Sequence, residues 1–489
     1  MKKTDIADAL GSVDEKYIAE SAPGKNKRKT VAIKWPAVVA AMIVAAIGIT
    51  ALFGTNTGLL VEVNAIYRAE YPEMAKFPTL ADGYEPRDDD PYGLYVGSDL
   101  YNAWEESRRA HFPYYHASDA LEEFFKSTTA EFLSGAGKEN VVYSPVNVYM
   151  ALAVLAEITD GSSRKQILDL IGVDTIEELR EQAYAVWNAN YFNDGAVTSI
   201  LANSIWLDDD IEYNKETLKT VAENYYTSSF SGNMGSDNYN EALHAWLNEQ
   251  TGGLLTDHVD DLKFSPRTVL AIASTIYYNA KWVNKFEKSD TFEGVFNSAK
   301  GKTSCEYMKQ TLLNETYYWG NNFSAASMKI ENGGKMLFIL PDENVSVKEL
   351  LTDAQAMELM FSPEKYPEKY ENQSNPQIHF TMPKFDVSSK LDLIGGLKDL
   401  GVKDVFNSFK SDFSPIVDEN VAIGKVEHTV RVVTDEDGVT ATAYTIIMGL
   451  GWGGPSDEEV DFTLDRPFIF VLKGNDETPL FVGIVNDVR

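Results

Sequence analysis

Cysteine is almost missing from this chain: Cys305 is the only one in 489 residues. That excludes an intrachain disulfide framework and a thiolate-rich metal site. A single cysteine in mixed surroundings reads as a small buried side chain. Positive charge is also scarce, with 43 Lys and Arg against 74 Asp and Glu and a net charge of −31. Nucleic-acid binding needs clustered Lys and Arg, so no nucleic-acid partner is expected. The acidity reads as solubility. Histidine is rare too. His111, His116, His244, His258, His379 and His428 are all there are, and none sits in a Gly-x-Ser-x-Gly or His-Glu-x-x-His context. That argues against an enzyme of either kind. His428, beside Glu427, reads as a satisfied core histidine rather than a general base. No cofactor or metal is expected, and no internal repeat is present.

What is there is a globular composition, 44% hydrophobic and 12% aromatic. The length suits about three domains or one large mixed domain. Trp35 to Phe53 carries no charge, close to the ~20 residues that span a bilayer core. Lys25, Lys27, Arg28, Lys29 and Lys34 precede it, and no basic residue follows until Arg68. The expectation is a transmembrane helix at 35–53 behind a cytoplasmic tail at 1–34, with the remainder extracellular. A cleaved signal peptide, giving a secreted protein, is the alternative, although the apolar run is long for one. Residues 54–115, rich in Tyr, Pro, Gly and Asp, read as an extracellular spacer. Their aromatics, Tyr101, Trp104, Phe112, Tyr114 and Tyr115, keep open an extension packed on the main domain.

From His116 to Arg489 the texture is that of one large domain. Ser118 is placed to cap a helix. Asn147 to Ile158 reads as a buried helix, and Lys215 to Tyr226 as an amphipathic one. Leu391 to Leu400 reads as a helix ended by Gly401. Leu201 to Leu207, Thr268 to Tyr278, Lys335 to Leu340, Gln377 to Met382 and Phe468 to Leu472 read as strands. Helices come early and strands late, without βαβ alternation, which predicts an α+β class built on mixed sheets.

One segment is unlike the rest. Glu436-Asp437-Gly438 leads into Val439-Thr440-Ala441-Thr442-Ala443-Tyr444-Thr445-Ile446-Ile447. At period two, Val439, Ala441, Ala443 and Thr445 share one small face, and Thr440, Thr442, Tyr444 and Ile446 share the other. Val439 to Met448 has no proline and no charge. A Gly-rich run around Trp452 follows. Such a strand is an aggregation hazard if left unpaired, so a chain that keeps it has a use for it.

Over 117–489 the sequence resembles the serpins. The blocks are Asn140-Val141-Val142-Tyr143-Ser144-Pro145, Trp246 to Leu255, Ile276 to Trp282 with Phe286, Thr291 and Phe296, Pro383-Lys384-Phe385, Leu397 to Phe406, Asp465-Arg466-Pro467-Phe468 and Pro479 to Gly483. Together and in this order they are specific. The resemblance implies a serpin fold with an exposed reactive-centre loop whose hinge is Glu436, Gly438, Val439, Thr440, Ala441, Thr442 and Ala443. It implies a monomeric suicide inhibitor of serine proteases; the expected membrane anchor and the lack of disulfides are compatible with a bacterial cell surface. The bait bond counts to Trp452–Gly453, which suits a chymotrypsin-like enzyme; Leu450 and Met448 are alternatives that suit chymotrypsin-like or elastase-like enzymes. A non-inhibitory serpin that binds a partner is the other functional reading. The chain departs from the family pattern by carrying Asn at 147 and Ser at 274, the reverse of the usual pair. The expectation is a traded polar cluster of Asn147, Ser274 and His428 under the central sheet.

Overall fold

The computed structural model describes residues 64–78, 99–256, 262–313, 315–331, 333–362, 370–439 and 458–489. The expected tail and span at 1–34 and 35–53, and Thr440, Ala441, Thr442, Ala443, Trp452 and Gly453, lie outside them. Among the described residues no helix is long and apolar enough to cross a membrane.

An eight-stranded sheet organises the chain. Its strands are β1 (Asn64–Tyr67), β2 (Thr198–Asp208), β3 (Thr227–Gly232), β4 (Leu270–Lys281), β5 (Phe385–Asp392), β6 (Glu427–Thr434) and β7 (Gly438–Val439), with the short strand Phe192–Asn193 paired to β2. Their order is β1-β3-β2-β4-β7-β6-β5. Only β2 and β3 run parallel; every other pair is antiparallel. A seven-stranded and a four-stranded sheet complete the α+β architecture.

Helix α1 (Asp99–Arg109), α2 (Pro145–Glu157), α3 (Ile176–Asn190) and α4 (Asp237–Gln250) frame the sheet. Helix α2 is apolar on nearly every side because it is buried on nearly every side, as such a helix must be. Pro145 opens it, and Ser144 caps it by accepting the Asn147 N–H, the placement that both residue types favour.

Three local expectations change. Ser118 caps no helix: a 3-10 turn intervenes, the helix begins at Glu122, and the Ser118 hydroxyl bonds Thr478 instead. Leu391 belongs to β5, and the helix after it runs only Ile394–Asp399. The alternating burial of Phe385–Asp392 carries the strand further than the apolar run suggested. For residues 54–115 the described parts take the packed-extension reading. β1 pairs with β3, Trp104 of α1 is buried, and Met74 joins the main core.

Candidate inhibitory hinge and sheet seam

The hinge begins in a tight turn. Asp435 accepts the backbone N–H groups of Asp437 (2.9 Å) and Gly438 (3.1 Å) with one carboxylate oxygen. Burial pushes Asp435 above the usual carboxylate range despite those bonds. Trp282, fully buried at the end of β4, donates its indole N–H to the Asp435 carbonyl (3.0 Å) and its backbone N–H to the Asp437 carbonyl (3.2 Å). Glu436 is held by the Lys384 ammonium (2.8 Å) and the Thr291 hydroxyl (2.8 Å). Burial opposes its charge, but Lys384 and Thr291 outweigh it and keep the Glu436 pKa below the usual range. Asp437 is partly exposed and only loosely paired, 3.5 Å from Lys285 and 3.9 Å from Lys288.

Past the turn the chain enters the sheet. Gly438 pairs with Lys281, and Val439 with Ala280 on one side and Thr434 on the other. A Cβ on Gly438 would stand 2.4 Å from the Ala280 carbonyl oxygen, so glycine is required here by close approach alone. Val439 is 2% exposed. Beyond it, among the described residues, no ladder joins β4 directly to β6. The two strands flank a seam. Along the same line lies a cavity of about 470 Å³, lined by Leu243, Leu247 and Leu255, by Leu270 to Thr275 of β4, and by Asn420 to Lys425.

The polar cluster sits beside this seam. The Ser274 hydroxyl contacts Asn147 Oδ1 and lies 2.6 Å from Asn203 Oδ1. His428 lines the same small pocket as Asn147 and Ser274. Its Nε2 accepts the Ser144 N–H at 2.9 Å, and Ser144 accepts the Asn147 N–H at 3.2 Å. So the structure brings Asn147 and Ser274 together directly and links His428 to them through Ser144. Asn203 and Asp435 did not stand out in the sequence, and Thr291 and Lys384 entered only as parts of the family blocks, without a role. Asp435, two residues before Asp437 and three before a Gly, carries an Asx-turn signal; Asn203 carries none. The amide nitrogens of Asn147 and Asn203 have no hydrogen-bond partner among the described residues. Buried amides normally find one.

Complete burial pulls His428 down to about 4 from 6.5. Between those values the unfolded chain binds a proton that the folded chain refuses, so stability rises with pH. The penalty is absent above 6.5 and reaches about 3 kcal/mol by pH 4, at ~1.4 kcal/mol per unit. His428→Gln, which keeps an acceptor for Ser144, should remove this slope. Urea unfolding at a series of pH values checks it; an unchanged slope assigns the acid sensitivity elsewhere.

The chain that forms this hinge and seam matches a family model. The description is serpin (serine protease inhibitor), and residues 119–488 match. The chain belongs to the serpin family. Leukocyte elastase inhibitor A of Rattus norvegicus is 26% identical over 358 residues, covering 71% of this chain and 92% of that protein. Serpin-ZX of Arabidopsis thaliana is 24% identical over 368 residues, covering 71% and 92%. Among solved structures, the thermophilic serpin tengpin in its native state aligns with a TM-score of 0.65 at 26% identity, over 77% of this chain and 94% of tengpin. The family is described as one of serine protease inhibitors rather than enzymes, and relatives of this chain are named as inhibitors.

Proposed function

We propose that this serpin traps serine proteases by loop cleavage and insertion into the seam. The observation that carries the reading is register. Val439 opposes Ala280 and Thr434. Continuing both ladders sets Ala441 beside Tyr278 and Val432, Ala443 beside Ile276 and Val430, and Thr445 beside Ser274 and His428. Opposed residues in an antiparallel ladder share a face. The small face of the segment would thus be the buried one, and the Thr445 hydroxyl would arrive where two buried amides lack partners.

The chemistry is acyl transfer. The protease serine attacks the carbonyl of Trp452, the Trp452–Gly453 bond breaks, and the amine leaves on Gly453. The freed strand inserts before water cleaves the ester, and its new backbone hydrogen bonds drive the step. An aromatic residue before the bond suits a chymotrypsin-like pocket; Leu450 or Met448 would serve a chymotrypsin-like or elastase-like enzyme. The uncharged run at 35–53 would hold the inhibitor to a cell membrane with its domain outside.

Mixing the protein with chymotrypsin or elastase should give an SDS-resistant adduct with the cut mapped after Trp452. Trp452→Arg should shift the preference to trypsin. Clean loop cleavage without adduct would instead support a non-inhibitory binding serpin, and undiminished chymotrypsin trapping by Trp452→Arg would move the bond.

A further inference from the structure

The cavity along the seam has a chemistry that strand insertion does not use. In the middle of the large sheet, Ala271, Ile272, Ala273 and Ser274 of β4 stand in succession only half-buried. The space beside them is the cavity of about 470 Å³, within the roughly 300–1,000 Å³ of small-ligand pockets. Leu243 and Leu247, one turn apart on α4, form an apolar floor with Leu255, Val421 and Ile423, and all five are buried.

The mouth of this cavity is cationic. Lys263, Arg267 and Lys425 line it and are exposed. Among the described residues no Asp or Glu lines it. Three cations and no acid reverse the balance of the whole chain, which has 74 Asp and Glu against 43 Lys and Arg. Long basic side chains at the edge of an apolar surface lay their stems on it and keep their heads in water. An apolar floor under a positive rim complements a molecule with an apolar body and one negative end.

The inserting segment is not that molecule. Continuing the ladder from Val439 on Ala280 sets Tyr444 to Gly449 beside Thr275 to Leu270, and Val439 to Gly449 carries no charge. A strand there would cover the apolar floor and leave the cations without an anion. We propose that the cavity is a binding site for a single-chain amphiphile with an anionic head, a medium-chain fatty acid being the simplest. Its chain lies against Leu243 and Leu247, and its carboxylate meets Lys263 and Arg267. The register puts this ligand and the inserted strand in one volume, so occupancy blocks the Ser274 end of the seam and turns the trap into a substrate. The site stands on the cavity itself; its effect on trapping rests on the insertion reading given above.

The test uses the full chain with decanoate, decanol and decyltrimethylammonium, which share an apolar chain and differ in the charge of the head. Isothermal titration should show one decanoate per molecule, with the other two weaker by about fivefold or more, the effect that ion pairs at an exposed rim reach. Lys263→Glu with Arg267→Glu should weaken decanoate by a similar factor and leave decanol unchanged. Both residues are exposed, and an unchanged melting temperature checks that the fold holds. Cross-peaks from 13C-labelled decanoate should fall on the methyl groups of Leu243 and Leu247. Equal binding of the three compounds, or contacts elsewhere, overturns the site. Saturating decanoate should also lower the yield of SDS-resistant adduct with chymotrypsin while loop cleavage continues, and the double variant should resist this. An unchanged yield, in a protein that forms adduct without decanoate, overturns the competition. A protein that forms no adduct even without decanoate refutes insertion instead, and the titrations still decide the site.

Discussion

Val439→Arg should turn the protein from a trap into a plain substrate. Val439 is already inside the sheet, 2% exposed, between Ala280 and Thr434. A guanidinium there faces Val432 and Val430 ahead and meets no acidic side chain on the paired strands β4 and β6 near it. Burying an unpaired charge costs several kcal/mol or more, so the arginine leaves the sheet and takes the two-residue strand with it. The first rung of insertion is lost, and with it the zippering that must outrun hydrolysis of the acyl-enzyme. Adduct yield should fall by more than roughly tenfold, the effect of only ~1.4 kcal/mol on that race. The loop should still be cut at the usual rate. Val439→Ala, which stays small and apolar, should keep most trapping. An unchanged stoichiometry of inhibition in Val439→Arg would refute the hinge assignment.

The second large effect is on stability. Trp282→Ala should lower the unfolding free energy by about 3–5 kcal/mol, the usual loss for a fully buried aromatic. Trp282 fills the corner where β4 ends, and its two N–H groups hold the Asp435 and Asp437 carbonyls. Removing the ring therefore opens a cavity and loses the indole bond to Asp435, while the backbone bond to Asp437 stays. Trp282→Phe separates the two contributions. It retains much of the apolar volume and loses the indole bond to Asp435, a loss of about 1–3 kcal/mol for a buried group left unpaired. Urea unfolding of the three proteins measures both steps. A change below about 1 kcal/mol for Trp282→Ala would mean that the corner collapses onto the hole, the condition under which such costs shrink.

Much of this molecule is legible along the chain. The strand that the pattern from Gly438 onward predicts is seen at Gly438–Val439, where the described residues stop. The apolar stretch after Pro145 marks a buried helix. The ordered blocks from Asn140 to Gly483 give the family. The exchanged pair Asn147 and Ser274 was legible as a pair, because each departs from the pattern in the direction of the other. His428 was read with them, but a fourth member was not. Asn203 lies on β2 opposite Ser274, and nothing near Asn203 in sequence sets it apart from other strand asparagines. The region 54–115 was ambiguous for a related reason. Its Pro, Gly and Asp content suggests a spacer, while its aromatics suggest contact. Composition does not say whether Trp104 and Arg108 have a partner. Asp194, 86 residues beyond Arg108, settles that.

The sequence by itself determined the family, the α+β class and the absence of a disulfide or thiolate-metal framework, because each depends on residue identity along the chain. Tertiary structure alone decided the register of Val439 on Ala280, the pinning of Glu436 by Lys384 and Thr291, the lack, among the described residues, of a ladder joining β4 directly to β6, and the packing of residues 64–78 and 99–118 on the domain. Those depend on which distant strands and helices come together, and that is set by burial summed over the whole core rather than by local pattern.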